Sequence, residues 1–107
     1  MNRETRRAIA RVAQRPPART VTVTIDEGAF DGWSATARAD FPASLLLEFD
    51  SGNATRIIAA LRVIVVEHNM PNSDGKLAPA IDDVDPYDGL LAIASKITEA
   101  IGRLPPR

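Results

Sequence analysis

The chain has 107 residues, 45% of them apolar and 25% charged, with a net charge of −1 and no cysteine. This length fits one small domain, and the composition is typical of soluble globular proteins. The absence of cysteine excludes disulfides, thiol catalysis and cysteine-ligated zinc. No apolar run approaches the ~20 residues that a membrane-spanning helix needs, and the basic N-terminus lacks the apolar segment of a signal peptide. These features predict a soluble, cytosolic protein.

The charges are unevenly distributed along the chain. Residues 1–19 contain six arginines and one glutamate, whereas the remaining residues carry seven positive and thirteen negative side chains. Residues 1–15 favour a helix by propensity, and Pro16-Pro17 end it. We therefore predict a basic N-terminal arm at 1–19, with a loose helix, attached to a single domain at 20–107.

Residues 20–38 contain two runs that alternate between apolar and polar side chains. In the first run, valine or isoleucine alternates with threonine at positions 20–25; the second runs from Trp33 to Arg38. Alternation with period two and β-branched residues are typical of strands. A glycine-containing loop between two such runs predicts a β-hairpin. A lone hairpin is marginally stable, so its apolar face needs helices to pack on.

Three further segments have helical patterns. The first covers about 40–52, with Asp40 as its cap and Gly52 at its end. The second begins after Asn53 and extends to about His68. A loop of about fifteen residues follows, and Asp85-Pro86 begins the last helix. The sequence therefore predicts an α+β fold, with an N-terminal β-hairpin packed on about three α-helices.

Few residues have the chemistry of a catalytic or metal site. His68 is the only histidine, and without a carboxylate cluster beside it a structural role at the helix end is favoured. Asp74-Gly75 resembles part of a calcium loop, but Met70 and Ile81 would occupy two of its ligand positions. Helix capping and a solvated loop explain the aspartates at 82–88 more simply than a metal does. We predict no catalytic, cofactor-binding or metal-binding residue, and no enzyme.

The segment "IIAALRVIVV" at 57–66 contains one charged residue in ten. On a continuous helix, Ala59, Val63 and Val66 would form an apolar strip outside the inward face. Either the protein's own first helix or hairpin covers this strip, or another chain does, such as a second copy or a client helix in a groove. Under the second interpretation the candidate partner-binding residues are Ala59, Val63 and Val66, with Leu46 and Phe49 on the preceding helix.

Residues 30–107 resemble the tail assembly chaperones of long-tailed bacteriophages, in the form found in actinobacterial phages and prophages. The resemblance depends on the order of short, non-catalytic features along the chain. These are Gly32-Trp33, Asp40-Phe41-Pro42, an apolar helix ending at Glu67-His68-Asn69, Asp74-Gly75, and Leu104-Pro105-Pro106.

The resemblance implies an interaction protein that binds and solubilises the helical, apolar tape measure protein during tail assembly. It implies tape measure helices as partners, a longer form made by ribosomal frameshifting, and a location in the host cytoplasm but not in the mature virion. A second copy of the chain (a homo-oligomer) remains a candidate partner from the apolar strip alone. Two alternatives remain open. One is a small nucleic-acid-associated regulator that uses the arginine-rich arm, although the arm lacks aromatic residues for base stacking. The other is a structural component of the virion tail.

Overall fold

The computed structural model describes residues 19–41 and 43–104. Over these residues the fold belongs to the predicted α+β class. The strands are β1 (Thr20–Thr24), β2 (Ser34–Arg38) and β3 (Val65–His68); the helices are α1 (Ala43–Phe49), α2 (Ala54–Ile64) and α3 (Asp88–Gly102); Ile81–Asp83 forms a 3₁₀ turn. The predicted basic helix at 1–15 lies outside the described residues, as does the arm apart from Arg19.

The predicted hairpin is confirmed. β1 and β2 are antiparallel, with Val21 opposite Ala37 and Val23 opposite Ala35. These side chains form the core face of the sheet, against which α3 packs. On the other face, Thr22 Oγ1 and Thr36 Oγ1 share a hydrogen bond of 2.9 Å. The period-two pattern therefore separates a core face from a hydroxyl-rich face, as the sequence predicts.

The prediction that the second helix continues to His68 is wrong. α2 ends at Ile64, Val65 adopts an extended conformation, and Val65–His68 forms β3, antiparallel to β2. A short apolar run rich in β-branched residues is compatible with either a helix or a strand. Here pairing with the central strand β2 favours the strand. Within the described residues the sheet therefore has three strands, in the order β1-β2-β3, rather than a lone hairpin.

The core lies between the sheet and the three helices. Its largest fully buried side chains are Leu45, Leu61, Ile64, Met70, Leu90, Ile93 and Ile97. Full burial of each aliphatic side chain contributes roughly 1.5–3 kcal/mol. α3 approaches the hairpin closely at Gly89, where a Cβ atom would lie 1.9 Å from Cζ3 of Trp33. Gly89 therefore allows the first turn of α3 to pack directly against the Trp33 ring.

The connection between β3 and α3 is well structured for its length. Pro71 pairs with Leu77 in an isolated bridge, and the Asn72 side chain accepts hydrogen bonds from the backbone N–H groups of Asp74 and Lys76. Met70 is fully buried beneath this turn. α3 begins at Asp88 rather than at the predicted Asp85-Pro86. The long loop thus contributes to the core instead of lying free.

Candidate partner-binding site

The three residues predicted to form one apolar strip do not lie on one helical face. Ala59 and Val63 lie on α2 and are half-buried, and Val63 packs against the protein's own core. Val66 lies on β3 and is 44% exposed. The chain leaves the helix between Val63 and Val66, so their three-residue spacing no longer places them side by side. The strip is therefore divided between a helix and a strand.

The two predicted residues of the preceding helix lie on α1. Leu46 and Phe49 are half-buried and three residues apart, a spacing that places side chains on neighbouring positions of a helix surface. Phe49 also packs against the core and lines a groove formed by all three helices. Of the five predicted residues, Phe49 is the one that the fold places in this groove.

The three-helix groove has a volume of about 300 Å³. α1, α2 and α3 contribute apolar side chains to it, and polar side chains lie among them. The apolar residues are Phe49, Ile57, Leu91 and Ala94; the polar residues are Asp50, Ser95, Thr98 and Glu99. Concave sites with an apolar lining and a few polar groups are typical of ligand and peptide binding. Two carboxylates make the lining acidic, and Glu99 also pairs with the exposed Arg103.

An ion pair between a buried carboxylate and a half-exposed guanidinium positions the α1 side of the groove. Nε and Nη2 of Arg56 on α2 donate to the two carboxylate oxygens of Glu48 on α1, at 2.6 and 3.1 Å. Glu48 is buried, whereas Arg56 is about half exposed. These hydrogen bonds lower the pKa of Glu48 below its ordinary value, against the opposing effect of burial. Paired N–H···O bonds of this kind fix geometry as well as add energy, so α1 and α2 are held in one relative orientation.

The turn between α1 and α2 adds further hydrogen bonds. Ser51 Oγ donates to the Glu48 carbonyl at 2.7 Å, and Asn53 Oδ1 accepts from the Arg56 N–H at 3.1 Å. The second bond makes Asn53 the N-cap of α2, in agreement with the predicted start of this helix after Asn53. Gly52 has φ +71°, a left-handed conformation that glycine adopts without steric cost. These contacts orient the end of α1 that carries Phe49, which lines the groove together with Leu91 and Ala94 of α3.

A second cleft lies beside β3. Its volume is about 390 Å³, and its lining comes from α2, β3 and the following connection: Arg62, Val65, Val66, His68, Pro79, Ala80 and Ile81. Arg62 Nε donates to Asp82 Oδ1 at 2.5 Å, with both side chains 53% exposed. Exposed pairs contribute little to stability. Val66 therefore belongs to a strand-edge cleft that is separate from the groove lined by Phe49.

His68 lies on this strand and not at a helix end. Its Nδ1 accepts a hydrogen bond from the Met70 N–H at 3.0 Å, which requires an unprotonated Nδ1. Partial burial lowers the pKa of His68 below its ordinary value. The geometry gives the imidazole a structural role at the start of the β3–α3 connection, although the helical location predicted from the sequence is wrong.

Sequence reasoning missed three of the most exposed large apolar side chains. Leu47 is 66% exposed, Leu77 63% and Tyr87 55%. For Leu47 a signal was present, because three consecutive leucines on one helix cannot all face the core. Leu77 and Tyr87 lie in the β3–α3 connection, where no periodic pattern predicts exposure.

Metal-ligand clusters and membrane-spanning helices are both absent from the described residues. No three histidine, cysteine, aspartate or glutamate side chains in that part of the chain are grouped as metal ligands would be. None of the helices there is both long enough and apolar enough to cross a membrane. Comparison of the chain with protein-family models, curated proteins and solved structures finds no match.

Proposed function

We propose that this protein is a phage tail assembly chaperone that binds helical segments of a tape measure protein and keeps them soluble in the host cytoplasm. The observation that carries the proposal is the three-helix groove, whose apolar side chains come from α1, α2 and α3 and are accompanied by polar ones. An amphipathic client helix would insert an apolar side chain between Phe49 and Leu91. Because the groove contains Asp50 and Glu99, client segments with lysine or arginine beside the apolar residues are favoured.

The additional exposed apolar side chains support the same proposal. Val66 and Leu47 lie outside the groove and remain accessible. One groove of this size contributes only modest affinity, since ordering the client opposes binding. A long client is held more tightly where the bound copies also associate with one another, because each additional contact is then intramolecular. A longer frameshifted form of the chain would supply a second type of subunit that binds along the same client.

Co-expression with a tape measure protein tests the proposal. The wild-type chain should increase the soluble fraction of the client. Ser95 is exposed and lines the groove, so Ser95→Arg should occupy the groove and abolish the increase with little effect on folding. Ser73→Arg is the matched control, because Ser73 is also exposed but lies in the β3–α3 connection. A client that is equally soluble with and without the wild-type chain contradicts the proposal.

Two further measurements distinguish the chaperone from the two alternative functions. A chaperone should be missing from purified particles, whereas a structural tail component would be retained in them. A nucleic-acid-associated regulator would bind DNA or RNA with an affinity that falls steeply with salt. That binding would also disappear on deletion of residues 1–19, while client solubilisation through the groove would persist.

A further inference from the structure

The two edges of the three-stranded sheet differ in how they are protected. β3 is interrupted by a register shift opposite Thr36 and Ala37, carries Glu67, and is followed by Pro71. Irregular pairing, charge and proline are the usual features that prevent an edge strand from pairing with another chain. Within its own bounds β1 has no charged residue, no proline and no register shift. It consists of five uncharged β-branched residues in regular pairing with β2.

The outer edge of β1 presents hydrogen-bonding groups at alternate residues. Ala39 N–H donates to the Arg19 carbonyl at 2.7 Å, and Ile25 N–H donates to the Trp33 carbonyl at 2.8 Å. Odd-numbered residues therefore direct their main-chain groups toward β2. By the alternation of an antiparallel ladder, Thr20, Thr22 and Thr24 direct theirs away from it. Within the described residues β1 is an edge strand that pairs with β2 alone.

We propose that β1 pairs antiparallel with β1 of a second copy, about a two-fold axis at Thr22. The strand reads Thr-Val-Thr-Val-Thr in either direction, so this register places Thr22 opposite Thr22 and Val21 opposite Val23 of the other copy. Facing threonines would exchange main-chain N–H···O bonds. The half-buried Val21 would gain an apolar neighbour on the core face. This interface is independent of the three-helix groove.

Charge at the two ends of β1 favours the same arrangement. Arg19 precedes the strand, and the exposed Asp26 and Glu27 follow it. Antiparallel pairing brings the basic end of one copy beside the acidic end of the other, at both ends of the ladder. Parallel pairing would place like charges together, which is unfavourable. Charge complementarity and the palindromic strand therefore both identify a second copy of this chain as the partner.

Cross-linking tests the register directly, because the chain has no native cysteine. In the proposed pair the two Thr22 Cα atoms would lie about 5.5 Å apart, within the range that a disulfide spans. Thr22→Cys should form a covalent dimer on mild oxidation. Thr36→Cys is the matched control, since Thr36 lies on the same face of the sheet but on the central strand, and it should remain monomeric under denaturing electrophoresis.

A proline substitution tests the hydrogen bonds. The wild-type chain should have twice its 11.5 kDa mass in analytical ultracentrifugation. Thr22→Pro removes an outward N–H and no main-chain bond to β2, so it should give a folded monomer by circular dichroism. Thr22→Ala loses the same hydroxyl contact with Thr36 but keeps the outward N–H, so it should remain a dimer. The proposal would be overturned if the wild-type chain is a monomer and Thr22→Cys does not cross-link. This result would include the case in which residues 1–18 cover the edge of β1. A dimer unaffected by Thr22→Pro would also overturn it, because another surface would then hold the copies together.

Discussion

The two ends of the apolar run at 57–66 lie in very different surroundings. Ile57 lies at the groove among the three helices and is 8% exposed. Val66 lies on the short strand β3, beside a cleft bounded by the β3–α3 connection, and is 44% exposed. The first end is enclosed by elements from three parts of the chain, and the second is open on one side.

This difference distinguishes a concave site formed by several elements from a single exposed apolar side chain. Single exposed apolar side chains are normal on protein surfaces and need no functional explanation. A groove lined by four apolar side chains, with the Glu48–Arg56 ion pair between two of its helices, is a more specific feature. Under the proposed function, the client therefore binds at the Ile57 end of the run. Substitutions at the middle of the run, on the α3 side of the groove and in the ion pair test this difference between the two ends.

The largest effect should come from the residue between the two ends. Leu61 is fully buried, so Leu61→Ala should lower the free energy of unfolding by about 2–5 kcal/mol through lost burial and a residual cavity. Urea denaturation followed by circular dichroism measures this loss. Leu47→Ala is the matched control, and with its side chain 66% exposed it should change stability by no more than about 0.5 kcal/mol. Equal effects of the two variants would contradict the described core.

A smaller effect should follow from moving only the α3 side of the groove. Gly89→Ala forces a methyl group onto the Trp33 ring, and such overpacking costs about 1–3 kcal/mol. The shift of α3 should also weaken client binding. Gly102→Ala is the matched control on the same helix, because its Cβ meets open space; its stability should be unchanged or slightly higher. Thermal unfolding of both variants makes the comparison, and a Gly89→Ala protein as stable as the wild type would contradict the close contact.

The smallest of these effects should come from the ion pair that orients α1. The Glu48 pKa is lower in the folded protein than its ordinary value of 4.5. Its contribution to stability is therefore complete above that value and is lost as the pH falls through the lowered pKa. Glu48→Gln should be less stable than the wild type near neutral pH, by less than Leu61→Ala. The difference in the free energy of unfolding between the wild type and Glu48→Gln should narrow below pH 4.5. A difference that is the same at every pH would contradict the role assigned to the Glu48 carboxylate.

Much of the fold could be predicted because its signals are local. Strict alternation and β-branched residues identify the hairpin, and Asn53 marks the start of α2 through a hydrogen bond three residues away. Glu99 and Arg103 form an i,i+4 ion pair on the last helix, which is also a local contact. β3 was missed because Val65 and Val66 continue the helical period, and only pairing with β2 determines their conformation.

The candidate site was less accessible to sequence reasoning. Phe49 was predicted as a contact residue from its helical face, but its partners Leu91 and Ala94 are more than forty positions away in the chain. No period or motif connects residues so far apart. The predicted strip assumed one continuous helix, so the turn into β3 divided Val63 from Val66. The groove arises from tertiary packing of three helices and not from any single pattern.

The most direct test is the affinity of a fluorescently labelled helical peptide from a tape measure protein, measured by anisotropy with three proteins. Compared with the wild type, Ser95→Arg should weaken binding by at least about tenfold, equivalent to about 1.4 kcal/mol, because it fills the groove. Val66→Asp should bind nearly as well as the wild type, since Val66 lies in the other cleft. Unchanged binding by Ser95→Arg together with loss of binding by Val66→Asp would contradict the account and assign the client to the strand edge.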